Sequence, residues 1–256
     1  SDCGASLTRS RPPWVCPNCG TAGGRFVCAE EGIEGDPEWD SRAALGTLLD
    51  IAAILARADI KSDLLKEMDR YRGSLDRIAG RPGVDSSRLN AVLQDIRTVE
   101  QSLRQVQGQL GQSLRGDEFL TSILQRSSIP GGSFDFDLPQ FHHWLHRPHA
   151  ERAAQLTGWL DPITSVHHAV ELSVSLIRNS ANPVREKATN GLFQRTLDNQ
   201  LPVQMLRIIL AADSDLFAEV SGSKHRFTVR FMTVNGDLHP RARSDDLDFL
   251  LTTCVI

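Results

Sequence analysis

Lys224-His225-Arg226-Phe227-Thr228-Val229-Arg230-Phe231-Met232-Thr233-Val234 decides how the second half of this chain folds. From Arg226 to Phe231, basic or polar residues alternate with apolar ones, the period of a β-strand with one buried face. Alternation sends Lys224, Arg226, Thr228 and Arg230 to one side and Phe227, Val229 and Phe231 to the other. The apolar set is read as core and the other as an outward basic row. At a rise of about 3.3 Å per residue, Arg226 and Arg230 start roughly 13 Å apart, a spacing that can engage two points along an extended peptide. Arginine suits carboxylates because its planar fork donates two hydrogen bonds at once. A structural explanation competes with binding: Leu247–Val255 could pair antiparallel with this strand and set Asp246 or Asp248 against Arg230.

Working outward, the neighbouring segments also carry β signals. Leu192–Leu197, Met205–Ala211, Phe217–Val220 and Leu247–Val255 are read as strands, and Asn182–Asn190 as a polar connector. Upstream the period is helical. Leu45, Leu48, Leu49, Ala52 and Leu55 define a helix from Arg42 to about Ala58. Ser62 is a candidate N-cap for the next, which Gly80-Arg81-Pro82-Gly83 ends. Leu89, Ile96, Leu103 and Leu110, interleaved by Val92, Val99 and Val106, then make three heptads of an a/d seam. Such a seam fits a helix packed within one chain or a helix pairing with a second copy. Residues 117–127 are read as a short helix, Ser133–Leu138 as an inserted strand, and the helical pattern returns through Trp144, Leu156 and Trp159 and on from Ile163 to Ile177.

Helices followed by strands, with no strand–helix–strand alternation, predict an α+β fold: a helical-bundle domain followed by an antiparallel β-domain. The expected divisions are a loop-like, poorly ordered leader over 1–41, a mainly helical part over 42–181 and a β-rich part over 182–256.

The 256 residues carry a net charge of -4 and a sequence pI near 6.1. That balance argues against a protein that coats nucleic acid or anionic lipid over its whole surface, so basic recognition must be local. No run of about 18 apolar residues and no secretory signal is present, so neither membrane insertion nor export is encoded and the default address is the cytoplasm. Phosphate loops, dinucleotide fingerprints and nucleophile elbows are absent. His142 and His146, and His167-His168 with Glu171, lack the HExxH order and are read as packed or surface groups. Cys16-Pro17-Asn18-Cys19 has zinc-ligand spacing, and Cys3 and Cys28 would complete four ligands; the same thiols can equally be incidental in the leader. A zinc-dependent nucleic-acid binder built from this cluster and the basic strand is therefore the rival reading.

Several segments resemble the ZapD family, bacterial division-ring accessory proteins that associate with the tubulin-like FtsZ. They are Lys61-Ser62-Asp63-Leu64-Leu65-Lys66-Glu67-Met68-Asp69-Arg70, Pro82-Gly83-Val84-Asp85, and Ser128-Ile129-Pro130-Gly131-Gly132 with Phe136-Asp137-Leu138-Pro139. His142-His143-Trp144-Leu145-His146-Arg147-Pro148, Ser221 through Phe231, and Leu247-Asp248-Phe249 continue the series in family order over about 42–256. The family opens on a helix to which nothing in residues 1–41 corresponds, so this segment is read as an unrelated leader or a truncated start. The resemblance implies a non-enzymatic homodimer without cofactor, located in the cytoplasm at mid-cell. It further implies that a basic pocket binds the FtsZ C-terminal tail and so bundles filaments for Z-ring assembly, with no membrane or nucleic-acid partner. The basic pair of that pocket falls on Arg226 and Arg230, with Arg57 and His142 as further candidates. Strand geometry adds Lys224.

Overall fold

The computed structural model describes residues 3–5, 29–30, 33–34, 38–57, 59–127, 137–198, 201, 203–211, 214–223, 225–234 and 239–256; of residues 3–5, 57 and 127 it describes the backbone alone. The chain divides into two compact units, one helical (Trp14–Ser173) and one built of strands (Val174–Ile256 with the N-terminal strand).

In the helical unit, α1 (Glu38–Arg57) starts before the expected Arg42, with Glu38 and Asp40 in the first turn facing the positive end of the helix dipole. Its stripe of Leu45, Leu48, Leu49, Ala52 and Leu55 is buried as its spacing demands. α2 (Ile60–Asp76) is capped by Asp59, whose carboxylate accepts the Ser62 N–H at 3.3 Å. Ser62 is thus the capped residue and not the cap. α3 (Ser86–Gln105) is capped by Asp85, which accepts from Ser87 and Arg88.

The seam of α3 is buried inside the chain at Leu89, Leu93, Ile96 and Leu103, with Val92 and Val99 half-buried beside it. The seam packs within one chain and is shorter than three heptads. α3 ends at Gln105, Val106 turns to extended backbone (ψ 116°), and Leu110 is buried from outside the helix. Glu100 occupies one seam position, its carboxylate held at 3.1 Å by Arg72 of α2.

α4 (Gln112–Gly116), α5 (Glu118–Ser127), α6 (Pro139–Leu145), α7 (His149–Leu160), the 3₁₀ turn Asp161–Ile163 and α8 (Thr164–Arg178) follow, and the boundary between units falls within α8. Phe119, Trp144 and Trp159 form an aromatic cluster with centroid separations of 5.7–6.3 Å. Buried Arg152 ties this region together: its guanidinium donates to Ser41 Oγ and to the carbonyls of Leu145 and Arg147. Of the expected strand at Ser133–Leu138, residues 133–136 lie outside the described residues, and Leu138 is already the residue before α6.

The second unit contains β1 (Cys3–Ala5), β2 (Val184–Ala188), β3 (Leu192–Thr196), β4 (Val203–Ile209), β5 (Leu216–Gly222), β6 (Arg226–Val234), β7 (Pro240–Ala242) and β8 (Leu247–Val255). One antiparallel sheet runs β1-β4-β8-β2; the other runs β3-β6-β5, with β7 continuing beside β6 where β3 ends. The inner faces share a core of Phe193, Phe227, Val229 and Phe231 from one sheet and Leu206, Ile208, Phe249 and Leu251 from the other. The Phe249 ring lies 5.1 Å from Phe193 and 4.9 Å from Phe231, joining the sheets face to face.

Two expectations are corrected in this unit. Asn182–Asn190 is no mere connector, since it contains β2. Thr189-Asn190-Gly191-Leu192 is a tight hairpin with Asn190 at φ 51° and Gly191 at φ 69°, closed by the mutual backbone hydrogen bonds of Thr189 and Leu192. This hairpin carries the chain from one sheet to the other. The second correction concerns β8, which pairs with β4 and β2 and not with β6.

Candidate partner-binding surface

β6 is the central strand of its sheet, and its hydrogen bonds fix which way each residue faces. Leu197 N–H donates to His225 C=O and Phe231 N–H to Gly191 C=O on the β3 side, while Ser223 N–H donates to Arg226 C=O on the β5 side. Phe227, Val229 and Phe231 are buried inward; Arg226 and Arg230 are exposed on the outer face with half-buried Thr228 between them. The outward row read from alternation is therefore present at these three positions. Lys224 lies outside the described residues.

Register supplies the neighbours. Arg226 stands opposite Thr196, Thr228 opposite Gln194 and Ser221, and Arg230 between Leu192 on β3 and Glu219 on β5. The acid facing Arg230 across the ladder is Glu219, in place of Asp246 or Asp248. Asp248 belongs to the other sheet, opposite Lys187, and Asp246, just ahead of β8, binds Lys187 Nζ at 2.9 Å and the Asn190 N–H at 3.1 Å. The ammonium and the N–H hold the Asp246 carboxyl below the usual carboxylate range, and the same pair raises Lys187. Among the described residues neither Arg226 nor Arg230 forms an ion pair. Arg195, pointing to the inner side of β3, is engaged by Glu186 and stacks on the Phe193 ring at 5.2 Å.

The other predicted residues belong to the helical unit. His142 lies on α6, its ring 4.4 Å from that of His146, whose Nδ1 meets the His142 carbonyl at 2.9 Å and whose Nε2 is 3.6 Å from Glu38. The side chain of Arg57 lies outside the described residues. Buried His167 sits between Glu30 and Glu171 at 3.5 and 3.3 Å, as a packed histidine. Of the zinc candidates, Cys3 contributes backbone to β1, and the side chains of Cys3, Cys16, Cys19 and Cys28 lie outside the described residues. Among the described residues no group of His, Cys, Asp or Glu could hold a metal ion, and no helix is long and apolar enough to cross a membrane.

A sequence model of ZapD, described as a cell division protein, matches residues 26–230. A cell division protein ZapD from Methylococcus capsulatus is 42% identical over 223 residues, covering 87% of this chain and 88% of that protein. The chain belongs to the ZapD family of cell division proteins. Its relatives include the ZapD proteins of Nitrosomonas eutropha (34% over 219 residues; 86% and 87% covered) and Aromatoleum aromaticum (36% over 222 residues; 87% and 86% covered). The family match begins inside the segment 1–41, at residue 26, and runs through the basic row to Arg230.

Sequence reading located the two arginines and missed Glu219, Leu192 and the far end of β6. Alternation already implied that Met232 and Val234 follow Arg230 on the same side. Glu219 and Leu192 needed the register, which no single strand encodes.

Proposed function

We propose that this protein is a non-enzymatic, cofactor-free accessory of cell division that binds the C-terminal tail of FtsZ through Arg226 and Arg230. It works as a cytoplasmic homodimer at mid-cell, cross-linking FtsZ filaments into bundles that support the Z-ring. The β-rich part, residues 182–256, presents the tail site; Lys224 is a further candidate from the sequence alternation alone, and Arg57 and His142 are secondary candidates on the strength of the family resemblance.

One observation supports this reading above the others: two exposed arginines share one sheet face, and among the described residues no carboxylate pairs with either. An exposed ion pair contributes about 0.2–1 kcal/mol, so a single tail is held weakly. Two sites on a dimer raise avidity by roughly 10²–10⁴ without any new contact, provided both tails can be reached together. The test is co-sedimentation with FtsZ filaments. Wild type should pellet with the filaments and do so less as salt rises, whereas Arg226→Glu/Arg230→Glu should stay in the supernatant. Equal pelleting of the two would sink the assignment.

A further inference from the structure

The outward row of β6 does not end at Arg230. Met232, only 9% exposed beneath its neighbours, and exposed Val234 follow on the same side, so the row reads Arg226, Thr228, Arg230, Met232, Val234: basic at one end and apolar at the other. Register gathers more apolar surface at that second end. Leu192 stands opposite Arg230 and Phe217 opposite Met232, while Pro240 and Ala242 of β7 flank Val234 and Met232. Leu192 is 42% exposed, Val234 41% and Phe217 36%. Single exposed apolar residues are ordinary, but here three neighbouring ones share the solvent face of one antiparallel sheet, where polar residues are the norm. The basic end keeps that norm, with Gln194, Thr196 and Ser221 around its arginines. Glu219 marks the border, since it faces Arg230 and repels any ligand carboxylate placed further toward Met232.

We propose that this face reads a two-part ligand: an extended segment of about eight residues, acidic where it lies on Arg226 and Arg230 and apolar where it lies on Leu192, Phe217 and Val234. The length follows from the row itself, Arg226 to Val234, whose eight rises span roughly 26 Å. Charge complementarity fixes the orientation of the segment along β6. The proposal rests on the tail-binding reading above and adds to it the chemistry of the tail. The arginines confer salt-dependent attraction; the apolar end distinguishes this tail from other acidic peptides.

The experiment is fluorescence anisotropy of a labelled FtsZ tail peptide with the full chain, across a range of salt. The variants are Leu192→Thr/Phe217→Thr/Val234→Thr, which keeps strand-favouring residues, and Arg226→Ala/Arg230→Ala. A second peptide, with its apolar residues replaced by serine, tests the same contact without altering the protein. The apolar variant and the serine peptide should each bind at least tenfold more weakly with an unchanged salt dependence, and the arginine variant should bind weakly with a flattened one. Should the apolar variant and the serine peptide stay within threefold of the reference while the arginine variant loses binding, the tail reading stands and the two-part ligand falls. Wild type failing to bind the native peptide, or binding that survives loss of both arginines, overturns both.

Discussion

Gly191→Ala should loosen the β-unit while leaving the helical unit intact. Gly191 sits at φ 69°, where a Cβ costs about 1–2 kcal/mol. An added Cβ would also lie 2.1 Å from the Arg243 carbonyl oxygen, so that backbone must recede by about 1.3 Å to restore ordinary contact. The segment that must move is hydrogen-bonded in place: Gly191 N–H donates to Asp245 C=O and Arg243 N–H to Phe231 C=O, both at 2.9 Å. Weakening these two bonds adds about 1 kcal/mol each, for a total of roughly 3–4 kcal/mol. The described tryptophans, Trp39, Trp144 and Trp159, lie in the helical unit, so their fluorescence reports on that unit and serves as the internal control. Amide hydrogen exchange read by mass spectrometry is the assay. Peptides covering β2, β3 and β6 should exchange at least about 100-fold faster than in wild type, since each 1.4 kcal/mol is a factor of ten. Exchange within threefold of wild type in those peptides would show that Arg243 gives way freely and that the hairpin is not latched.

Glu219→Gln should tighten tail binding about threefold at low salt. A carboxylate seated on Arg230 and that of Glu219, at about 6 Å in water, repel by about 0.7 kcal/mol, and the gain should fade as salt screens it; unchanged or weaker binding in anisotropy would refute it. The lowered Asp246 carboxyl contributes stability above the ordinary carboxylate value, and that contribution is lost as pH falls through its depressed folded-state value. Asp246→Asn should therefore accelerate hairpin exchange at neutral pH and match wild type in strong acid; a difference that persists in acid would refute the Lys187 and Asn190 contacts as its cause. Burial, aided by Glu67, pushes the phenol of Tyr71 up to about 12, and it is the chain's one tyrosine. Its contribution is complete below the unfolded value of about 10 and is lost as pH rises toward 12. Phenolate absorbance should accordingly lag in the folded protein and rise with alkaline unfolding; ionisation at pH 10 with circular dichroism intact would contradict the buried site.

The α+β order was legible because period carries it: the α1 stripe and the β6 alternation are both strong over many residues, and both are buried as read. Leu247–Val255 matched its strand from end to end. Its partner did not, because antiparallel pairing depends on which strand the chain brings alongside, and an apolar nonamer fits several. The Asn190-Gly191 dipeptide is a different kind of miss. It is among the strongest local hairpin signals, yet the polar, weakly alternating Val184–Ala188 before it hid the strand it joins. In α3 Leu89, Ile96 and Leu103 hold the seam as read, whereas Leu110 falls beyond the helix end and the interleaved valines do not take it. Leu93 and Glu100, one position on, take the seam, and a buried carboxylate at such a position cannot be anticipated without Arg72 across from it.

The same gap between period and register limits what could be said of the site, and it bears on how the site works. Alternation alone yields two arginines, whose worth in water is small and salt-dependent. Register surrounds them unequally, with Glu219 at one flank of Arg230 and Leu192 at the other. A tail that satisfied only the charges would be one of many acidic peptides, weakly held and indifferent to direction. Covering Leu192, Phe217 and Val234 removes apolar surface from water at about 25 cal/mol per Å², a contribution salt does not screen. The apolar end should therefore set how long a tail stays and the arginines how fast it arrives. Loss of the arginines should lower the association rate in stopped-flow mixing with the tail peptide, and loss of the apolar end should raise the dissociation rate; the reverse partition would separate the two halves of the row from the roles given to them here.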